Sequence, residues 1–319
     1  MYKTYCVLVI AVILLTVATA CGPSSVPQPT DTPAPSLTPT PELAAFPLTM
    51  TDDLGNEVTI EAEPQRIVSM APSHTQTLYA LGLGDKVVGV TEYCSYPPEA
   101  QEKPKVGGFS NIDLEQVVGL DPDLVLGTSL HAQSVRPALV ERGLKVVLIN
   151  PQTVEDVLEK IVLVGRVTGR EGAAIALSAE LRGRIEATME KVQGTENKPR
   201  VYWELSNDLY TAGPGSFIDD LIVRAGGINI AADTKEQWPQ LNLEALILAD
   251  PEVIVLADHP YGETAEGVKA RPGWADVSAV KNERIVEVLD DDLVSQPGPR
   301  VAEALEFVAK ALHPELFVE

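Results

Sequence analysis

The chain has 319 residues, with 46 acidic against 24 basic side chains and an apolar content of 45%. A formal charge of −22 argues against nucleic-acid binding and against direct adhesion to an anionic lipid surface. The excess is uneven: residues 65–150 carry seven basic and nine acidic groups, whereas 199–319 carry nine and twenty-two.

Residues 1–20 read as a secretory signal: Lys3, an apolar run from Val7 to Leu15 too short to span a bilayer comfortably, then Ala18, Thr19 and Ala20. Cys21 directly after that site resembles a bacterial lipoprotein signal, although Ala18 stands where that pattern prefers Leu. Lipidation of Cys21 is therefore expected. Residues 21–45 form the lipidated terminus and a Pro/Thr/Ser-rich linker that cannot bury enough apolar surface to fold. Beyond it Cys94 is the only cysteine, which excludes an internal disulfide and two-cysteine metal or redox motifs.

From the strand-like Glu57–Ala62 onward, about 255 residues are too many for one ordinary core and comfortable for two. An N-terminal α/β lobe is expected over 46–152. Strand Arg66–Pro72 leads to a helix capped by Ser73 or Thr75 and stopped at Gly82. Strand 86–90, a short helix 114–120 ended by Asp121-Pro122, strand 124–127, helix 135–143 and strand 145–150 follow. A helical connector occupies 153–198, opening on Thr153 with Asp156 as a capping box and containing a helix of about 35 Å. The C-terminal lobe, 199–319, repeats the plan: strand 200–205, helix 216–227, a short helix before Asp250-Pro251, strands 253–258 and 284–289, and a closing helix. Continuously apolar strands alternating with helices mean parallel sheets covered on both faces. The fold class is thus α/β, with two Rossmann-like lobes joined by a single long α-helix and a ligand cleft between them.

The two lobes share wording. Leu114-Glu115 recurs as Leu243-Glu244 and Asp121-Pro122 as Asp250-Pro251, each 129 residues on. Asp113 and Asn242 read as N-caps, so each glutamate falls in a first helical turn, where the helix dipole favours an acid.

Four stretches, "RIVSMAPSHTQTLYALGLGDKVVGVTEYCSYPPEA", "NIDLEQVVGLDPDLVLG", "WPQLNLEALILADPEVIVLAD" and "QPGPRVAEALE", occur in an order that resembles the substrate-binding proteins of ABC importers for cobalamin, haem and ferric siderophores. The likeness covers about 64–313 and is strongest to the cobalamin-binding branch. It implies a lipid-anchored, extracytoplasmic and monomeric protein that captures a corrinoid and delivers it to a permease dimer with its ATPase. Haem or a ferric siderophore is the alternative cargo. The resemblance implies no resident cofactor or metal and no enzymatic activity. It places Glu115 and Glu244 as carboxylates that dock onto permease arginines. By position it lines the cleft with Pro72, Ser73, His74, Tyr93 and Phe109 from one lobe, and with Tyr210, Trp238, Asp292 and Gln296, on a loop 292–297, from the other. Thr128 and Gln296 depart from the cobalamin pattern, which has an aromatic residue and an arginine there. His74 stands where an amide is usual, open to a metal-ligating or a hydrogen-bonding role. The glycines and serine of 213–216 are open to binding a phosphate or to a plain turn and cap.

Rival classes have less support. An enzyme lacks a nucleophile elbow, a phosphate-binding loop, a dinucleotide fingerprint or a histidine pair at metal spacing. A surface-anchored sensor would share the fold and differ in its partner.

Overall fold

The computed structural model describes residues 45–318; the expected leader, Cys21 and nearly all of the expected linker lie outside them. An antiparallel pair opens the described chain: β1 (Leu48–Thr51) against β2 (Glu57–Ile60), with Leu48 opposite Ile60. Of these only β2 is expected from sequence.

The first lobe then alternates β3 (Ile67–Ser69), α1 (Pro72–Ala80), β4 (Val87–Val90), α2 (Leu114–Gly119), β5 (Leu124–Gly127), α3 (Val135–Glu141) and β6 (Val146–Leu148). All four strands of its sheet are parallel, in the order β4-β3-β5-β6. The connector is α4 (Val154–Val167) followed by α5 (Glu171–Gln193), a 23-residue helix about 35 Å long. Thr153 and Asp156 close the capping box at the start of α4.

The second lobe contains β7 (Arg200–Glu204), α6 (Phe217–Arg224), β8 (Ile228–Asn229), α7 (Leu243–Ala249), β9 (Val253–Leu256), α8 (Ala265–Lys269), α9 (Ser278–Lys281), β10 (Ile285–Glu287), α10 (Asp291–Ser295) and α11 (Val301–Leu312). Its sheet, β8-β7-β9-β10, is also parallel. Counted from each lobe's first strand, both sheets run second, first, third, fourth. Each therefore has a switch point between its first and third strands, beyond whose carboxyl ends open α/β sheets hold ligands.

Burial explains why the strands are apolar throughout. Successive residues face opposite sides of a sheet. Ile67, Leu124, Leu126, Val147, Val201, Trp203, Val253 and Val255 join one core with α4, α5 and α11. Their neighbours Val68, Val125, Val146 and Leu148 close a second core on the far side of the first sheet. Tyr202, Ile254 and Leu256 do the same in the second lobe. α5 packs on both α4 and α11, so the strut shares its core with both sheets.

Two expectations are corrected. Neither Ser73 nor Thr75 caps α1: the N-cap is Ala71, without a side-chain bond, and Pro72 occupies the first turn. Proline has no N–H to satisfy and its fixed φ suits that position, so the helix begins two residues earlier than a Ser73 cap would set it. The stretch expected as a loop over 292–297 is mostly α10, with only Gln296 and Pro297 outside it.

The repeat is also deeper than the wording suggested. Asp121 and Asp250 both adopt left-handed backbone, with φ of 47° and 44°. Arg66 donates to the carbonyls of Leu120 and Asp121, and Arg200 to those of Ala249 and Asp250. Asp123 accepts from the Arg66 amide, and Glu252 from the Arg200 amide. In each lobe an arginine opening the first strand thus ties down the carboxyl end of the short helix that carries the repeated glutamate, satisfying carbonyls the helix leaves open.

Candidate functional site

Two adjoining cavities lie where residues of both lobes converge. The first, of about 410 Å³, is lined by Ser73, Phe109, Thr128 and Leu130 from the first lobe, by Asn150, Pro151 and Gln152, and by Phe217, Gln237, Trp238, Gln296 and Pro297 from the second. The second, of about 640 Å³, is lined by Pro72, Glu92, Tyr93, Phe109 and Asn111 on one side, and Pro260, Tyr261, Leu289, Asp290, Asp291, Asp292 and Gln296 on the other. Phe109 and Gln296 belong to both. Each cavity is within the range of small-molecule sites.

The fold brings these residues together through its switch points. Pro72 and Ser73 open α1 directly after β3, and Thr128 follows β5. His131, buried in the turn after β5, fixes Phe109. The Thr128 amide donates to its Nδ1 at 2.9 Å, so Nε2 carries the proton and donates to the Phe109 carbonyl at 3.0 Å. The two rings meet edge to face, with centroids 6.0 Å apart. Burial holds the His131 pKa below its ordinary value and so favours the neutral ring this arrangement needs.

Contacts between the lobes border the cavities. The Ser95 hydroxyl donates to Asp292, and the Gln237 amide donates to the Gln152 side-chain oxygen. The Arg300 guanidinium lies 4.7 Å from the centroid of the Tyr96 ring and pairs with Asp290 at 2.7 Å. Burial, reinforced by Asp290 and Asp291, pushes the Asp292 carboxyl up to about 6.

Of the residues expected at the cleft, Pro72, Ser73, Tyr93, Phe109, Trp238, Asp292 and Gln296 line the cavities. His74 does not. Its ring is buried, Nε2 lies 3.1 Å from the Gly127 carbonyl, and burial lowers its pKa to about 4. It is a neutral histidine tying α1 to the end of β5, so the hydrogen-bonding role replaces ligand contact. Tyr210 lines neither cavity; its backbone bridges to Ser206 and Gln240, and the residue is 43% exposed. Ser216 caps α6, accepting from the Asp219 amide at 3.1 Å and donating to the Gly213 carbonyl at 2.8 Å, the plain turn and cap. Sequence reasoning missed Leu130, Tyr261 and Leu289, which are 57%, 77% and 81% exposed. All three follow within five residues of the carboxyl end of a strand (β5, β9 and β10), and that position is the signal that would have found them.

Glu115 and Glu244 are exposed on α2 and α7, and neither makes an ion pair among the described residues. Asp113 and Asn242 cap these helices as expected. At the same 129-residue offset, Val117 and Leu246 are fully buried, while Val118 and Ile247 are 38% and 37% exposed. The two lobes therefore present equivalent surfaces, each a carboxylate followed one turn later by an aliphatic side chain.

Beyond the switch point of the second lobe lies a buried charge cluster. Glu204, at the end of β7, is fully buried and receives two bonds of 2.6 Å from Arg271, which also reaches Glu263 at 2.7 Å. Asp258 is 5% exposed, and no neighbouring residue donates to either of its oxygens. Burial, and then the Glu204 charge, raise its pKa. An acid whose folded pKa lies above its unfolded value binds more protons when folded. Its ionisation therefore costs stability as pH rises from about 4 towards the folded value. Asp258→Asn should accordingly be more stable than the parent at pH 8, by on the order of 1 kcal/mol. That advantage should vanish near pH 4 in urea melts across pH; an equal effect at both pH values would contradict it.

A cleft formed by two doubly wound lobes on a shared helical strut, lined by aromatic and polar groups, defines a bilobal solute-binding protein. The chain belongs to the periplasmic binding protein family, whose model matches residues 67–292, and it is the substrate-binding protein of an ABC importer. It is 36% identical over 283 residues to an uncharacterised ABC transporter substrate-binding lipoprotein of Bacillus subtilis, spanning 86% of this chain and 88% of that protein. It is 37% identical over 282 residues to a cobalamin-binding protein of Halobacterium salinarum, spanning 84% and 75%. Among solved structures, a periplasmic haem-binding protein of Roseiflexus superposes with a TM-score of 0.72 at 28% identity, over 79% of this chain and 99% of that one. No helix among the described residues is long and apolar enough to cross a membrane.

Proposed function

We propose that this protein is a lipid-anchored receptor that captures cobalamin outside the cytoplasmic membrane and delivers it to a permease dimer. The observation that carries this reading is the lining of the cleft. Tyr93, Phe109, Trp238 and Tyr261 supply aromatic rings suited to a large, partly apolar macrocycle. No Lys, Arg or His lines either cavity among the described residues. A corrin surrounded by neutral amides fits such a surface. Haem, with two propionates, and anionic siderophores would want cations there. The cobalamin-binding relative at 37% identity supports the same choice.

Titration of the purified protein with cyanocobalamin, followed by tryptophan fluorescence, tests this. Saturable quenching at one ligand per protein is expected, since Trp238 lines the first cavity. Saturable binding of haem with none of cobalamin would overturn it. Anchoring through Cys21 is tested separately: Cys21→Ser should move the protein from the membrane to the soluble fraction, and retention in the membrane would contradict a lipid anchor.

A further inference from the structure

The second cavity has four carboxylates on its wall, Glu92, Asp290, Asp291 and Asp292, and no cation. Their surroundings differ. Asp290 is paired with Arg300 at 2.7 Å. Asp291 accepts from Ser295 and Tyr261. Among the described residues, Asp292 accepts only the Ser95 hydroxyl from the opposite lobe, Glu92 has no side-chain partner, and neither forms a salt bridge. A carboxylate offers about four acceptor positions, so both retain acceptor capacity for a ligand. A ligand seated between the lobes displaces water from around these carboxylates, so a like charge it carries is screened less there than on an open surface.

Resting on the corrinoid reading above, we infer that this cavity selects corrinoids by the chemistry of their periphery. Rings whose side chains are amides are admitted, rings whose side chains are free carboxylates are rejected, and Asp292 and Glu92 are the discriminating groups. The amide N–H groups donate to the two carboxylates. A carboxylate in their place brings a second negative charge and no donor. Discrimination thus comes from a repulsive element built into the wall as well as from an attractive one. Glu92 and Asp292 belong to opposite lobes and line the same cavity, so both face the periphery of one ring held there.

The test compares two probes, dicyanocobinamide, which keeps the ring amides, and the fully hydrolysed heptacarboxylate corrinoid, by equilibrium titration at pH 7.5. The parent protein should bind the amide form at least about 100-fold more tightly. Asp292→Asn and, separately, Glu92→Gln should each narrow that ratio by roughly tenfold. Glu92 is exposed, so its substitution keeps the test open if the Asp292 variant folds poorly. Equal binding of both corrinoids, or a ratio unmoved by either substitution, would overturn the inference and leave the corrinoid reading standing. Binding of haem with neither corrinoid bound would overturn the reading beneath it.

Discussion

Replacing Arg271 with Met should lower the unfolding free energy by about 3–5 kcal/mol at pH 7.5, the usual cost of stranding a buried charge. The Glu204 carboxylate is fully buried at the end of β7, and Arg271 supplies both of its 2.6 Å bonds. The same guanidinium holds Glu263 at 2.7 Å and lies 4.9 Å from the centroid of the Trp274 ring. Methionine keeps much of the packing and removes all of the charge, leaving Glu204 beside Asp258 with no cation between them. One further result separates charge from packing. Glu204→Gln combined with Arg271→Met should recover part of the loss, since both charges then leave together. Guanidinium melts would show this as a fall in midpoint at constant slope. A loss below about 1 kcal/mol would mean that the pair does not hold the carboxyl end of β7 in place.

Glu115→Ala combined with Glu244→Ala should leave cobalamin affinity within about twofold of the parent while reducing uptake by roughly a hundredfold or more. Charge-assisted hydrogen bonds are worth about 1.5–3 kcal/mol each, so two lost contacts account for that factor. The two carboxylates stand at equivalent points of equivalent lobes, which suits a two-fold pair of basic pockets on a dimeric permease. Each short helix is clamped to its sheet, by Arg66 in one lobe and Arg200 in the other, so a docked glutamate would pull on a strand. Uptake in cells or in proteoliposomes holding the importer measures one arm, and ligand titration the other. Unchanged uptake, or lost ligand affinity, would remove the docking role.

The architecture was legible because it is written twice. The strands are apolar on both faces, their helices end at glycine or Asp-Pro, and the 129-residue offset pairs one lobe with the other. Both N-caps of the repeated helices and the capping box of α4 stood in the sequence as side chains of the right type at the right distance. What stayed illegible depends on contacts with other segments of the chain, near or far. β1 exists by pairing with β2. α9 is a single turn whose first amide and hydroxyl are held by Asp250, 28 residues earlier. His131 gave no signal, since a buried neutral histidine positioning Phe109 has no spacing pattern. His74 misled because a histidine in the first turn of a helix that follows a strand can face the cleft or the sheet, and only the Gly127 carbonyl 53 residues away decides it.

The central claim is that the cleft holds a corrinoid. Its most direct test is to incubate the purified protein with an equimolar mixture of cyanocobalamin and haem, desalt it, and record the absorption spectrum of the protein fraction. The corrin bands should co-elute at one equivalent with no Soret band; a Soret band without corrin bands would contradict the claim.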